Sequence, residues 1–308
     1  MRVPTPVLSR RRHRSRRSRP ATAIDGRDVN REQALPIQKI VATGNDFIFI
    51  DARAPLSPAF ALISRSELAK KICERHFGVG ADGLVFIEAS GARLKWDFYN
   101  NDGSTAEMCG NASRCVGRWA EKNLGLAAAE LETVPGLVRV AVAGAEIVSH
   151  IDYLRATFAP LGYEARGRDR FATLVNTGVP HAVVELDRIE DAAGAGDDIR
   201  ALRFHPSAGE RGANVTFLSR VSASEFNTVT YERGVEDFTL SCGTGVLAAA
   251  AVGLKLVQAS GVVQSSSAAL VTPGGRLRVA FGDDWAGATL QGPAIFLFEA
   301  VLSEEFFK

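Results

Sequence analysis

The sequence predicts an α/β (α+β) protein built from two similar halves. Each half has several strand-like runs, then a polar turn that ends in Cys-Gly and opens a helix. The two Cys-Gly pairs begin at Cys109 and Cys242, which are 133 positions apart. A length of 308 residues allows two domains at roughly 150 residues each. We therefore expect a duplicated fold that places one cysteine at a helix start in each half.

The composition is that of a globular chain with a substantial core. Hydrophobic residues make up 46% of the sequence, and a net charge of +1 gives no global field for nucleic acid or a membrane. No apolar run reaches the roughly 18 residues that a membrane-spanning helix needs. The four cysteines contain no C-x-x-C pair, which argues against structural zinc, and they are too few and too scattered for a secreted disulfide framework.

Residues 1–35 differ in composition from the rest. The first twenty residues contain eight arginines and no acidic residue. We expect a disordered basic leader on a cytoplasmic protein. An Arg- and Ser-rich, acid-poor opening also resembles an organellar transit peptide, so a plastid location is the alternative. A nucleic-acid-binding tail, or an upstream start codon that adds non-functional residues, would explain the same composition.

Residues 36–148 are expected to form the first domain. The pattern predicts strands over 37–41 and 47–51, and further strands over 84–87 and 94–99. Ser64-Arg-Ser-Glu67 is a capping box, which predicts a helix over 68–76. A second helix is predicted over 112–124, directly after the first cysteine.

One motif in this domain has a misleading match. Gly78-Val-Gly-Ala-Asp-Gly83 fits the dinucleotide-binding fingerprint. That fingerprint must follow a strand and open a helix, because the helix N-terminus holds the pyrophosphate. Here a predicted helix precedes the glycines and a predicted strand follows them. We therefore interpret them as a tight turn.

Residues 149–294 are expected to form the second domain, and a last strand at about 295–308 is expected to return to the first. The helix after Cys242 is apolar on nearly every face, so it should be buried all round. Strands wrapped around this helix would bury it. Strands are predicted over 182–186, 228–233, 268–271, 276–281, 288–290 and 295–298, and residues 211–217 are predicted to turn into a strand.

Two cysteines at helix N-termini suggest a specific chemistry. Backbone N–H groups at a helix start favour a thiolate over a thiol. A thiolate on one face of a bound carbon can remove a proton while a thiol on the other face delivers one, which inverts the centre. The opposed helix ends can also bind a carboxylate. A single cysteine near a helix start is usually a small buried hydrophobe, but the shared Cys-Gly opening argues against that interpretation for this pair.

The residues around both cysteines resemble those of diaminopimelate epimerases. The motifs that carry the resemblance are Asn100–Cys115, Glu232-Arg-Gly and Ser241-Cys-Gly-Thr-Gly, with supporting matches at Gly44-Asn-Asp-Phe47, Arg75–Asp82, Gly178-Val-Pro-His181, Asn214-Val-Thr-Phe217 and Gly292-Pro-Ala294. The resemblance covers the chain from about residue 37 to its end. It implies a β-barrel-like sheet around a central helix in each of two pseudo-symmetric domains, with the site in the cleft between them.

The resemblance also implies an activity. The family interconverts LL- and meso-2,6-diaminopimelate without a cofactor, a step of lysine and peptidoglycan-precursor biosynthesis, and the implied assembly is a homodimer. We accordingly expect no cofactor, no metal and no nucleic-acid or membrane partner.

By motif position, Cys109 and Cys242 are the implied acid/base pair. The implied substrate contacts are Asn45, Asn100, Gly110, Asn111, Asn214, Glu232, Arg233, Gly243 and Thr244. Arginine offers a planar fork to the distal carboxylate, and glutamate can accept from the distal ammonium. Without the resemblance, Glu232 and Arg233 would be interpreted as an exposed ion pair. His181 is expected to be structural.

Three positions depart from the family pattern: Val179 replaces an asparagine that contacts substrate, Ala112 replaces a glycine, and Phe238 replaces a polar residue. They bear on the identity of the substrate and leave the racemase chemistry intact. Two alternatives to a diaminopimelate epimerase stay open. One is a related cofactor-independent racemase of another amino acid. The other is a thiol–disulfide redox protein that uses Cys109 and Cys242.

Overall fold

The computed structural model describes residues 35–56, 60, 63–164, 171–261 and 266–307. The expected leader lies outside these residues, apart from Leu35. The described helices are α1 (Arg65–Cys73), α2 (Gly110–Leu124), α3 (Gly196–Arg203) and α4 (Gly243–Ala259). The described strands are β1 (Leu35–Ala42), β2 (Asn45–Asp51), β3 (Gly83–Ser90), β4 (Arg93–Asn100), β5 (Ala128–Thr133), β6 (Gly136–Ala143), β7 (Glu146–Arg155), β8 (Thr157–Glu164), β9 (Phe171–Asn176), β10 (Pro180–Leu186), β11 (Asn214–Ser222), β12 (Glu225–Glu232), β13 (Asp237–Thr239), β14 (Ser267–Thr272), β15 (Gly275–Phe281), β16 (Ala286–Pro293) and β17 (Ile295–Leu302).

The strand pairings repeat in the two halves. In the first half, β1 pairs antiparallel with β2, β2 parallel with β3, β3 antiparallel with β4, and β4 parallel with β5. In the second half, β9–β10, β10–β11, β11–β12 and β12–β14 repeat the same sequence of directions. The predicted duplication and the α+β class are therefore confirmed at the level of strand pairing.

Each half wraps its sheet around one helix. In the first half, α2 contacts β1, β2, β5, β6, β7, β16 and β17. In the second half, α4 contacts β9, β10, β11, β12, β14, β15 and β16. Most of α4 is fully buried, as its apolar sequence predicts. Burial of this kind holds the start of each helix at a fixed place between the halves.

Helix α1 begins where the sequence predicts but ends early. Ser64 Oγ accepts from the Glu67 backbone N–H at 3.2 Å, and the Glu67 carboxylate accepts from the Ser64 N–H at 3.4 Å, so the capping box is present. The helix ends at Cys73 rather than at residue 76, because Glu74 has an extended backbone. The carbonyl of Ile72 instead accepts from Val79 and Gly80 in the glycine turn, where Gly80 has a φ of 77°. A helix precedes this turn and β3 follows it, which is the reverse of a dinucleotide site.

The last strand pairs with the first. Leu302 lies opposite Leu35 and Ile295 lies opposite Val41 in an antiparallel β17–β1 ladder. The domain boundary that the sequence predicts at residue 148 falls inside β7, which pairs with β6 on one side and β16 on the other. The two halves are therefore joined by a continuous sheet at this strand, and the exact division stays a prediction.

Candidate active site

The two helices that follow the cysteines meet end to end. Cys109 and Cys242 are the N-cap residues of α2 and α4, and each helix begins with glycine. A Cβ added to Gly243 would lie 3.2 Å from the Gly110 Cα, and one added to Gly110 would lie 2.7 Å from Leu290 Cδ2. Glycine at both positions is what permits this approach. The free backbone N–H groups of both helices consequently point toward one shared space.

A cavity of about 440 Å³ occupies that space. It is lined by ten of the eleven site residues expected from the sequence, namely Asn45, Asn100, Cys109, Gly110, Asn111, Glu232, Arg233, Cys242, Gly243 and Thr244. A second cavity of about 410 Å³ shares Asn100, Gly110, Arg233, Gly243 and Thr244 with the first. The cleft thus passes along both sides of the helix ends.

The two thiols have different surroundings. Burial raises the pKa of Cys109, and the backbone N–H groups of Ala112 and Asn111 oppose that rise. Burial also raises the pKa of Cys242, while the Thr244 hydroxyl, 3.5 Å from its sulfur, and the Gly245 N–H oppose it. The carboxylate of Glu232 raises the pKa of both thiols. Both thiols and the Glu232 carboxyl group therefore interact electrostatically in one largely buried space.

Glu232 and Arg233 point to different parts of the cleft. Burial raises the pKa of Glu232, and Thr239 and Cys242 approach its carboxylate and oppose that rise, although Thr239 Oγ1 makes no hydrogen bond of good geometry. Arg233 donates from Nη1 to the Gly212 carbonyl at 2.9 Å, and burial together with the charges of Arg211 and Arg203 lowers its pKa. Among the described residues these two form no ion pair with each other. Both charges are therefore available to a bound molecule, unlike those of the exposed ion pair considered above.

Comparisons with known proteins agree with this geometry. Residues 37–150 and 173–297 match the family model for diaminopimelate epimerase. The chain is 35% identical to a diaminopimelate epimerase of Aquifex aeolicus, over 87% of this chain and 97% of that one. It is 36% identical to the Hydrogenobaculum enzyme of the same name, over 88% and 99%.

The chain belongs to the diaminopimelate epimerase family. It is accordingly an isomerase of the epimerase type.

Solved structures support the fold at lower sequence identity. A hydroxyproline epimerase from Agrobacterium vitis superposes with a TM-score of 0.61 at 15% identity, covering 88% of this chain and 91% of that one. A PhzF-family phenazine biosynthesis protein from Bacillus anthracis gives 0.64 at 13% identity, covering 88% and 99%. At such identities the likeness establishes the two-domain fold of these proteins for this chain, and the fold alone.

Asn214 is the expected contact that lines neither of the two cavities. Its Oδ1 accepts from the Arg233 backbone N–H at 2.7 Å, so its Nδ2 faces His181 Nε2 at 3.2 Å. His181 is fully buried, its Nδ1 lies 2.9 Å from Thr216 Oγ1, and burial lowers its pKa to about 3. With Nε2 as an acceptor, the proton sits on Nδ1 and the ring is neutral. His181 Nε2 also lies 3.0 Å from Thr244 Oγ1. Asn214 and His181 thus support Arg233 and Thr244 from behind the cavity wall, which agrees with the structural role expected for His181.

Three further residues hold the site from the first half. Asn45 donates from Nδ2 to the Asp82 carboxylate at 2.9 Å and accepts from Asn111 Nδ2. Thr43 and Arg114 both bond to the amide oxygen of Asn111, at 3.2 Å and 2.6 Å. The sequence reasoning missed Asp82, Thr43 and Arg114 as parts of the site. For Thr43 the sequence did contain a signal, since the pair Thr43-Gly44 before Asn45 recurs in the second half as Thr177-Gly178 before Val179.

The departures from the family pattern lie in different places. Val179 lines the 410 Å³ cavity, so an apolar side chain faces that part of the cleft. Ala112 is fully buried in α2, and Phe238 packs edge-on against Tyr231 with ring centroids 5.7 Å apart. Neither Ala112 nor Phe238 lines either cavity. Of the three, Val179 is therefore the one placed to change substrate contacts.

The described part of the chain contains no group of three or more residues arranged to hold a metal ion. None of its helices combines the length and the apolar character needed to cross a membrane. All four cysteines are free thiols.

Proposed function

We propose that this chain interconverts LL- and meso-2,6-diaminopimelate by transferring protons between Cys109, Cys242 and the α-carbon, without a cofactor. The single observation that carries the proposal is the pair of cysteines at two helix starts that face one cavity. The names and identities of the relatives support the choice of substrate. In a bacterium or plant such a step would supply lysine and peptidoglycan precursors.

The α-carboxylate of the substrate is proposed to bind between the helix ends. The N–H groups that begin α2 and α4 offer it hydrogen bonds and favourable dipoles, with Asn111 and Thr244 beside them. These donors also stabilise the charge that develops when the α-proton leaves. One thiolate accepts that proton, and the opposite thiol donates its own proton to the other face of the carbanion. The products are the inverted α-carbon and a cysteine pair whose thiol and thiolate have exchanged places.

The distal end of the substrate is proposed to lie between Asn100, Glu232 and Arg233. Among the described residues the Arg233 guanidinium forms no ion pair, and the donors that it does not use for Gly212 can bind the distal carboxylate. The Glu232 carboxylate can accept from the distal ammonium. Asn214 acts indirectly, by fixing the backbone that carries Arg233. Val179 removes a polar contact on this side, so binding should rest more heavily on Arg233.

The test follows deuterium from D₂O into the α-position of LL-diaminopimelate, with reduced enzyme and no added cofactor. We expect exchange together with formation of the meso isomer, detected by NMR and chiral chromatography. Proline, glutamate and lysine serve as comparison substrates. Exchange with one of these but not with diaminopimelate would select the related racemase, and no exchange with any of them by folded, reduced enzyme would refute the proposal.

A redox function makes the opposite prediction about oxidation. A thiol–disulfide protein needs the Cys109–Cys242 disulfide as a working state, whereas the epimerase needs both groups reduced. Epimerase activity that requires a reductant and is lost on oxidation supports the proposed reaction. Disulfide reductase activity without α-proton exchange would select the redox alternative.

We also propose that the chain forms a homodimer through β17. This strand pairs with β1 on one side, and it exposes Ile295, Leu297 and Val301 at 55%, 50% and 54%. Exposed apolar edges of this kind are typical of association sites. The double variant Leu297→Lys/Val301→Lys should be monomeric in light scattering, while Val134→Lys, in the exposed turn between β5 and β6, should not change the mass. A monomeric wild type would refute the dimer.

A further inference from the structure

Helix α2, which begins after Cys109, carries a buried cation in its first turns. Arg114 is fully buried, one turn beyond Gly110 in α2. Its Nη2 donates to Thr43 Oγ1 at 2.8 Å and to Asn111 Oδ1 at 2.6 Å, and its Nη1 donates to the Gly110 carbonyl at 3.2 Å. All three acceptors are neutral, and Nε has no partner. Within the described residues, Arg114 has no carboxylate within ion-pair distance.

A buried charge without a counter-ion is unfavourable, and this one is retained next to the site. Burial lowers the pKa of Arg114 to about 10, while the thiolate forms of Cys115 and Cys109 and the carboxylate of Glu146 raise it. Glu146 is already paired with Arg278 at 3.2 Å, and Cys115 is a buried thiol whose pKa is strongly raised by burial. Burial raises the pKa of Cys109 as well. Arg114 nevertheless bonds to the Gly110 carbonyl and to the Asn111 amide oxygen, which belong to the two residues directly after Cys109. Its charge therefore lies at the helix start that carries this thiol, where a Cys109 thiolate would balance it.

The duplicated half lacks this cation. The offset of 133 positions that relates Cys109 to Cys242 relates Arg114 to Leu247, which is a buried apolar residue of α4. The groups that act on Cys242 are Glu232, Cys109, the Thr244 hydroxyl and the Gly245 N–H, and the charged ones among them disfavour a thiolate. Burial and Glu232 raise the pKa of both cysteines, but a buried cation favours ionisation only at Cys109. The two halves thus give their cysteines different electrostatic settings on the same helical frame.

From this asymmetry we infer that Arg114 is the internal counter-ion of Cys109, so that Cys109 is the thiolate and Cys242 the thiol of the resting site. Arg114 contacts no cavity directly, so it is a positioning residue that acts through Cys109 and Asn111. The inference rests on the proposed two-thiol reaction, and it assigns the resting protonation state within that reaction. After turnover the pair has exchanged its proton, so Cys109 must release one proton to solvent and Cys242 must take one up, and Arg114 favours this return to the starting state.

The groups that face Cys109 come from three elements. Arg114 belongs to α2 itself, Glu232 ends β12, and Cys242 begins α4. Glu232 and Cys242 oppose ionisation of Cys109, and Arg114 favours it. Removal of the positive charge at 114 should therefore raise the pKa of Cys109 by about one unit or more, as expected for the loss of a nearby opposite charge.

The test is the pH dependence of alkylation by iodoacetamide in the absence of substrate, read at each cysteine by peptide mass spectrometry. In the wild type, Cys109 should react at lower pH than Cys242. Arg114→Met and Arg114→Gln should shift the Cys109 profile upward by about one pH unit or more, and Arg114→Lys should keep most of the wild-type profile. Arg118→Met is the matched control, because Arg118 lies one turn further along α2 and bonds to the Ala294 and Ala145 carbonyls. It should leave the profile unchanged.

The variants separate charge from hydrogen bonding. Arg114→Gln keeps a donor for Asn111 without the charge, so a wild-type profile in this variant would assign the effect to hydrogen bonding and overturn the inference. Alkylation of Cys242 at lower pH than Cys109 in the wild type would also overturn the inference. This comparison needs no variant, so it holds even if none of the variants folds. Because alkylation needs no substrate, these outcomes are independent of the exchange assay that tests the proposed reaction.

Discussion

The close approach of the two helix starts makes Gly243→Ala the sharpest test of the site's architecture. The new methyl carbon would lie 3.2 Å from the Gly110 Cα, 3.3 Å from the Gly110 N and 3.6 Å from Leu290 Cδ2. The first two contacts are shorter than normal packing allows, so the helix ends must separate by a few tenths of an ångström. Overpacking of this kind costs about 1–3 kcal/mol, and alanine returns about 0.5–1 kcal/mol of helix preference. We therefore expect a net loss of about 0–2.5 kcal/mol in the free energy of unfolding.

The effect on turnover should exceed the effect on stability. The displaced atoms belong to the N–H donors between the two cysteines, and misplacement of about 1 Å can reduce rates about 100-fold. For a smaller shift we expect kcat for α-deuterium exchange to fall by about tenfold, with the protein still folded at 25 °C. Gly196→Ala is the matched control, because Gly196 also begins a helix, α3, and its added methyl meets nothing within 4 Å. Wild-type kcat in Gly243→Ala, with stability equal to that of the control, would refute the reasoning.

Three other predictions concern the cavity and the buried histidine behind its wall. Glu232→Gln should lose activity and gain stability at pH 8. Burial raises the pKa of Glu232 above its usual 4.5, so the wild-type folded state loses stability as pH rises from about 4.5 through the raised pKa. In urea unfolding the gain should vanish near pH 4, and an equal gain at both pH values would contradict this prediction. The His181 pKa of about 3 lies below its usual 6.5, so the folded state should lose stability as pH falls from about 6.5 toward 3, and His181→Gln should flatten this part of the urea-unfolding profile. Mild oxidation should inactivate the enzyme through a Cys109–Cys242 disulfide that dithiothreitol reverses, as measured by activity and by peptide mapping; unchanged thiol sensitivity in Cys109→Ser would show that the two sulfurs are not paired.

Local signals were enough to predict much of the fold. The capping box at Ser64, the Cys-Gly helix starts and the uniformly apolar α4 each reflect a physical requirement that operates over a few residues. The parallel pairing of β4 with β5, or of β12 with β14, could not be predicted in this way, because the register of parallel strands depends on contacts between distant segments. For the same reason the predicted end of α1 was wrong, since Gly78–Gly80 take over the carbonyls of its last turn.

In the candidate site too, local motifs predict some residues, whereas the roles of others depend on contacts made only in the folded structure. Residues within motifs, such as Cys109, Glu232 and Thr244, line the cavity because each lies at the end of a strand or at the start of a helix. Asn214 was expected at the same cavity but lies behind it, since its amide is committed to the Arg233 N–H and to His181. Arg114 gave no sequence signal of its function, because its importance comes from complete burial without a carboxylate partner, which is a property of the folded structure.

The two halves share a frame but supply different charges, and this difference suits a proton-transfer pair. With identical surroundings, Cys109 and Cys242 would hold one proton equally, and the free enzyme would be divided equally between the states that deprotonate the two isomers. The cation at Arg114 and its replacement by Leu247 in the second half remove that degeneracy. Only the singly protonated pair can both accept and donate, so activity should rise and fall with two macroscopic pKa values. Loss of the charge at Arg114 should move the lower of these upward, toward the higher one, and so narrow the active pH range from its acidic side.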